Sequence, residues 1–188
     1  MNKGRIIVAM TGASGHPYGI RLLQALRAAG VETHLVISRS AAVALPYEAS
    51  MKLKEIHALA DQVHSNEDVA APISSGSFRT RGMVVAPCSA KTLGEIASGV
   101  CQTLTSRAAD VVLKERRRLV LLFRETPLHL GHCRNMVAVT EMGGIVMPPV
   151  PAFYPKPSSL DEIVDHTVGR ALDLFDIDTG NVKRWKEE

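Results

Sequence analysis

Hydrophobic residues in this chain gather in short strand-like runs separated by stretches of helical spacing. The runs RIIVAM, VETHLVI, MVVA, LVLLF and GIVMPPV each end in a polar turn: TGASG, SRSA, PCSAKT, RETP and PAFYPKP. Between them apolar positions recur at the period of one buried helix face. After TGASG, Tyr18, Leu22, Ala25, Leu26 and Ala29 share such a face, and Gly30 closes the helix. A strand is expected over residues 31–37, a mixed helical region broken by Pro46 from Ser38 to about Ala60, and mostly loop over the Ser- and Gly-rich stretch 61–81. A strand at 83–86, helices at 89–98 and 104–116, a strand at 119–123, a helix at 130–142 and a strand at 144–147 follow. The segment PPVPAFYPKP can be neither helix nor central strand, so it must cross the surface to a last helix over about 159–175.

Strands alternating with helices are the signature of stacked βαβ units, so the predicted class is α/β with an open parallel sheet. In such a sheet the turns after the strands lie along one edge, where ligands bind. Small polar and charged groups collected on that edge read as an active site for a phosphorylated ligand.

Composition narrows the picture. The 188 residues are expected to form one domain, 1–188, with 46% apolar and 22% charged residues, an ordinary globular balance. No apolar run reaches the length of a membrane span, and MNKGRIIVAM enters a strand without signal-peptide architecture, so a cytoplasmic protein is expected. A net charge of +3 and 4% aromatic residues argue against nucleic-acid binding. The basic run Lys114–Arg118 falls at a predicted helix end, where the dipole favours cations and solvated side chains are the default. Cys88, Cys101 and Cys133 lack metal spacing, and their odd number speaks against a disulfide framework. All three are expected to be small buried hydrophobes. The tail from about 176 to 188 is polar apart from Trp185, which suits docking on a neighbouring subunit.

TGASG follows a strand and opens a helix, so its N–H groups can face a phosphate; a tight turn with Ser14 as helix cap explains it equally well. Ser38, Ser89 and Thr92 can likewise cap helices or meet a ligand. Lys91 stands in a first helical turn, against the dipole, which hints at a nearby anion. Arg107, Asp110 and Lys114 line up beside the apolar face of the helix 104–116, a pattern also given by an exposed ion-pair stripe. Arg124-Glu125 closes a strand: Arg suits bidentate phosphate recognition, and Glu suits proton transfer. Arg170 sits among apolar neighbours of the last helix, consistent with a buried anion or with a stem packed on the surface. His129 and His132 lack the partners of a metal site and read as structural or as supports for residues that touch a ligand.

Together these stretches resemble the UbiX-type flavin prenyltransferases over essentially the whole chain. MTGASG, HLVISRSA, SGSFRT, GMVVAPCSAKTL, RAADVVLKERRRLVLLFRETPLH, RNM, PPVPAFYPKP and DHTVGRALD carry the likeness, and the RAADV…RETPLH and PPVPAFY stretches are the specific ones. The resemblance implies a flavodoxin-like αβα sandwich assembling as a homododecamer, with FMN held between subunits and no metal. The implied reaction joins the dimethylallyl group of dimethylallyl phosphate to reduced FMN, first at N5 and then at C6. The product, prenylated FMN, would serve a UbiD-type decarboxylase. By the same likeness Gly12, Ala13, Ser14, Ser38, Ser89, Ala90, Lys91, Thr92 and Arg124 would contact FMN. Tyr154 and Arg170, with Lys114 and Arg124 near, would hold the donor phosphate. Glu48, Arg107 and Glu125 match further active-site positions, with Ser14 and Glu48 as a proton relay at the flavin. Against the family pattern, His16-Pro17 replaces a small or apolar pair, Thr103 stands for Asn or Gly, and Cys133 stands for Leu.

Two other functions fit parts of the pattern. PCSAKT resembles the PASANT turn of flavin-dependent cysteine decarboxylases, but Lys91 replaces the Asn, and no catalytic His segment follows between Ser38 and Arg81. A non-catalytic flavin carrier would not need the set Lys114, Arg124, Glu125, Tyr154 and Arg170.

Overall fold

The aliphatic runs form strands because they are buried on both sides, as central parallel strands require. A computed structural model describes residues 4–186; Met1–Lys3 and the tail residues Glu187 and Glu188 lie outside the described residues. The strands are β1 (Arg5–Met10), β2 (Glu32–Ile37), β3 (Gln62–Ser65), β4 (Gly82–Cys88), β5 (Arg118–Phe123) and β6 (Ile145–Val146). The helices are α1 (His16–Ala28), α2 (Arg39–Ala44), α3 (Leu53–His57), α4 (Ala90–Ser98), α5 (Leu104–Lys114), α6 (Leu130–Glu141) and α7 (Leu160–Asp173). All strand pairs are parallel, in the order β3-β2-β1-β4-β5-β6.

Side chains of β1 alternate between two cores. Ile6, Val8 and Met10 face Leu22, Leu23 and Leu26 of α1 and Val168 and Leu172 of α7. Ile7 and Ala9 belong to the opposite core, with Leu93 of α4, Ala108 and Val112 of α5, and Val139 of α6. The result is a three-layer αβα sandwich with α1 and α7 on one face and α4, α5 and α6 on the other. The expected elements recur within one to three residues of their predicted ends, and Pro46 breaks the 38–60 region in a 3-10 turn, Leu45–Tyr47.

The stretch 61–81 departs from its reading as loop. It holds β3, an edge strand whose Gln62, Val63 and Ser65 are exposed. Its ladder to β2 is a backbone affair, so no alternation of apolar side chains announces it. Without β3 the other strands follow the flavodoxin order; with it the sheet takes the 3-2-1-4-5-6 order. The rest of the stretch is tied down by Arg117, whose guanidinium donates to the carbonyls of Phe78 at 2.8 Å and Gly76 at 2.7 Å. Arg117 is thus not a freely solvated helix end.

The cysteines also differ from expectation. Cys88 alone is buried, its thiol pushed up by burial; Cys101 is half-buried in the α4–α5 connection and Cys133 is exposed on α6. The tail returns over α7, with Arg184 bonded to Asp173 at 2.8 Å and Trp185 edge-on to Tyr154 at 5.4 Å. The indole stays 66% exposed. Among the described residues no helix is long and apolar enough to cross a membrane.

Gly19 of α1 lies tight against the sheet, where a Cβ would run into the Ala86 carbonyl oxygen of β4. Gly19→Ala should therefore lower the unfolding free energy by roughly 1–3 kcal/mol through overpacking, measurable by urea denaturation.

Candidate functional site

The strand order reverses its direction of winding between β1 and β4, and Thr11 locks that point. Its hydroxyl donates to the Pro87 carbonyl at 2.8 Å and accepts from the Ser89 N–H at 2.9 Å, while its own N–H donates to the same Pro87 carbonyl at 3.1 Å. Pro87 has no N–H to give the ladder, and the β4–β5 register shifts between Val85 and Cys88. The Thr11 bonds hold the end of β4 in place across that shift.

A cleft of ≈ 280 Å³ opens beyond this clamp. Thr11, Gly12, Ser38, Ser89, Lys91 and Thr92 line it, so five of the expected flavin-contacting residues meet in one place. Ser38 caps α2 by accepting from the Ala41 N–H at 3.1 Å, and Ser89 caps α4 by accepting from the Thr92 N–H at 3.3 Å. Two helix N-termini thus face the same space, with N–H groups and dipoles suited to a phosphate. A Cβ on Gly12 would lie 2.5 Å from Ser40 Cβ, so only glycine lets this turn lie so close to α2. Lys91 is exposed and pairs with Glu95 at 3.3 Å, its cation available at the mouth. This donor set fits a flavin phosphate.

Sequence reasoning missed Arg39, Asn66 and Thr105 in the cleft wall. Arg39 adjoins the flagged Ser38 and was within reach of the motif. Asn66 carried no local signal. It is placed by its Oδ1 accepting from the Thr105 hydroxyl at 2.6 Å and its carbonyl from the Leu104 N–H at 2.8 Å.

The α1 turn is built differently from expectation. Its N-cap is Gly15, at φ +117°, and not Ser14, which is exposed. The capping acceptor comes from afar: Glu48 Oε2 takes the N–H of Gly15 at 2.7 Å, the N–H of His16 at 3.0 Å and His16 Nδ1 at 2.9 Å. Burial raises the Glu48 pKa, but these bonds and one from the Ser14 side chain outweigh it and bring the carboxyl down to about 2. Ser14 and Glu48 are therefore in contact, as a relay needs, with Glu48 held as an anion.

Arg124 and Glu125 follow β5 on the same sheet edge, where the Arg124 N–H donates to the Cys88 carbonyl at 3.1 Å. Ala13 and Ala90 sit in the α1 and α4 turns beside the cleft residues. The remaining cations do not join them. Arg107 pairs with Asp110 at 2.8 Å, and Lys114, at the far end of α5, pairs with Glu115 at 2.7 Å. Arg170 is exposed and pairs with Asp173 at 2.6 Å, so its apolar neighbours in sequence do not bury it. The Tyr154 hydroxyl lies 3.1 Å from His166 Nε2. Since α5 and α7 cover opposite faces of the sheet, one chain does not bring Lys114 and Arg170 together. His129 caps α6, its Nδ1 accepting from the Gly131 N–H at 3.0 Å.

Comparison with known proteins gives this geometry a context. The Flavoprotein family profile matches residues 1–172. The flavin prenyltransferase UbiX of Neisseria meningitidis serogroup B is 54% identical over 182 residues, covering 97% of this chain and 96% of that one. The chain belongs to the UbiX-type flavin prenyltransferase family. Among solved members, AnUbiX (PadA1), crystallised with FMN and dimethylallyl pyrophosphate, is 56% identical, with TM-score 0.96 and 98% of both chains covered. A dodecameric FMN-dependent UbiX-like decarboxylase from Escherichia coli O157:H7 is 50% identical, with TM-score 0.95 over 97% of this chain and 100% of that one.

Two outcomes follow for this UbiX-type chain. Thr11→Val should cost about 1–3 kcal/mol, because the Ser89 N–H is left buried without an acceptor, and should weaken FMN binding in a fluorescence titration. For Glu48, the folded pKa of about 2 lies below its ordinary 4.5. Its contribution to stability is therefore complete above the ordinary value and fades as pH falls through the folded one. The stability gap between wild type and Glu48→Gln should be widest near neutrality and close toward pH 2, as followed by denaturant melts.

Proposed function

We infer that the protein is a flavin prenyltransferase that transfers the five-carbon group of a dimethylallyl phosphate ester to reduced FMN and releases prenylated FMN. The observation that carries this reading is a phosphate-suited cleft at the β1/β4 switch point of a chain aligned almost end to end with flavin prenyltransferases. When bound, reduced FMN supplies the nucleophilic positions N5 and C6.

The chain's own residues divide the remaining work. Gly12, Ala13, Ser14, Ser38, Ser89, Ala90, Lys91, Thr92 and Arg124 hold the flavin and its phosphate. Lys114, Arg124, Arg170 and the Tyr154 hydroxyl hold the donor phosphate and stabilise the anion that develops as it leaves, an electrostatic role often worth about 3–4 kcal/mol per donor. Glu125 donates a proton to the departing phosphate, and Arg107 supports the same cluster. Glu48 is anionic at neutral pH, so in its relay with Ser14 it accepts a proton rather than supplying one.

Because Lys114 and Arg170 lie on opposite layers of one chain, the donor pocket is assembled from more than one copy. A homododecamer provides such contacts, with the exposed Trp185 and the 176–188 tail against a neighbour. The product passes to a UbiD-type decarboxylase in the cytoplasm.

Anaerobic incubation with reduced FMN and dimethylallyl phosphate should yield a flavin heavier by one C5 unit in mass spectrometry; unmodified flavin with either phosphate ester would contradict the function. Glu125→Gln should slow turnover by roughly 100-fold with FMN still bound, and Arg170→Ala should chiefly raise KM for the donor. Lys114→Ala and Arg170→Ala subunits, each impaired alone, should regain part of the activity when assembled together.

A further inference from the structure

His16 is the first residue of α1 and is wholly buried. Helix formation by itself does not call for a histidine at this position. Its Nε2 is buried with no hydrogen-bond partner among the described residues. Such an unpaired polar atom carries a desolvation cost that alanine would avoid. What the ring does have is Glu48: Nδ1 lies 2.9 Å from Oε2. An ionised carboxylate only accepts, so the proton of this contact sits on Nδ1.

The pattern around the carboxylate gives the contact a purpose. Oε2 already accepts the N–H groups of Gly15 and His16, and the ring makes a third donor on the same oxygen. None of these goes to Oε1. The Ser14 side chain is a further donor to the carboxylate but sits on an exposed turn residue; the fully buried ring adds a fixed direction to the two backbone donors on Oε2.

We propose that His16 is a positioning residue for prenyl transfer, pinning Oε2 of Glu48 through its Nδ1–H so that Oε1 is the oxygen presented to the reacting ligand. The proposal rests on the reading of Glu48 as the acceptor beside the flavin. His16 itself exchanges no proton with substrate, because Glu48 stands on the one ring nitrogen that is engaged. Tyr18 also packs at this turn, against Gly15, and burial pushes its hydroxyl up, so it stays neutral near pH 7.

The test uses full-length protein with His16→Ala and His16→Asn, the amide of Asn standing in for the Nδ1–H. For His16→Ala we expect unchanged FMN affinity, kcat reduced roughly ten- to a hundredfold, and little change in KM. The acid limb of its pH profile should move upward, since Glu48 loses a donor that favours its charged form. His16→Asn should recover most of kcat and return the limb. An unchanged kcat and acid limb in His16→Ala would overturn the proposal, as would equal impairment of both variants. A readout independent of turnover is ¹⁵N NMR of histidine-labelled wild type. His16 should show a protonated Nδ1 whose resonance shifts on adding FMN and is altered by Glu48→Gln. A resonance indifferent to both would overturn the proposal even if the prenylation reading stood, whereas wild type that binds FMN with the expected shift but never prenylates would overturn only that reading.

Discussion

A single buried hydroxyl holds the working edge of this protein together. Thr11 bridges the ends of β1 and β4 where the sheet changes its direction of winding, engaging both the Pro87 carbonyl and the Ser89 N–H. The turns that follow these strands form the floor of the cleft, and their backbone N–H groups are useful only if they point into the same space. A parallel sheet sets the strands side by side but leaves the turn beyond each strand free. The Thr11 bonds remove that freedom at the one position where proline interrupts the ladder.

Beyond this clamp the site is organised by opposite electrostatic devices. The α2 and α4 ends keep their dipoles open to the cleft, with Ser38 and Ser89 satisfying only one N–H each. The α1 end is instead occupied by the carboxylate of Glu48, which neutralises it from outside the helix. Two N-termini are thus left for an external anion, while the third carries its own. This division leaves the α2/α4 side suited to a phosphate and puts a fixed negative charge on the α1 side.

Two of the cations proposed for the donor site lie apart in one chain. Lys114 and Arg170 occupy opposite faces of the sheet, each held by a carboxylate neighbour on its own helix end. The same chain exposes apolar side chains where a single copy has nothing to cover them. α6 buries only Val139 fully while Leu130 and Val137 stay more than half exposed, and Phe153 of the Pro-rich segment is 75% exposed. Apolar surface of this extent is what contact between copies would cover, and the proposed donor site relies on the same contact.

The order of strands and helices was legible in the sequence because each has its own hydrophobic period, and the cleft residues were legible where a short motif joins a strand to a helix. Ser38, Ser89 and Lys91 are such positions. β3 was hidden, since an edge strand held by backbone bonds needs no apolar alternation, and Asn66 was hidden with it. The roles of Arg117, Glu48 and His16 were equally beyond local reading: each acts on backbone or side chains dozens of residues away, through contacts that exist only once the layers have packed. Local periodicity and turn chemistry therefore determined the fold class and the cleft, while the family was legible through the resemblance of whole stretches such as RAADV…RETPLH and PPVPAFY. Only the tertiary structure decided which helix end keeps its dipole, which arginine is a staple and which cations stay apart, because those outcomes depend on distances between segments that no spacing along the chain encodes.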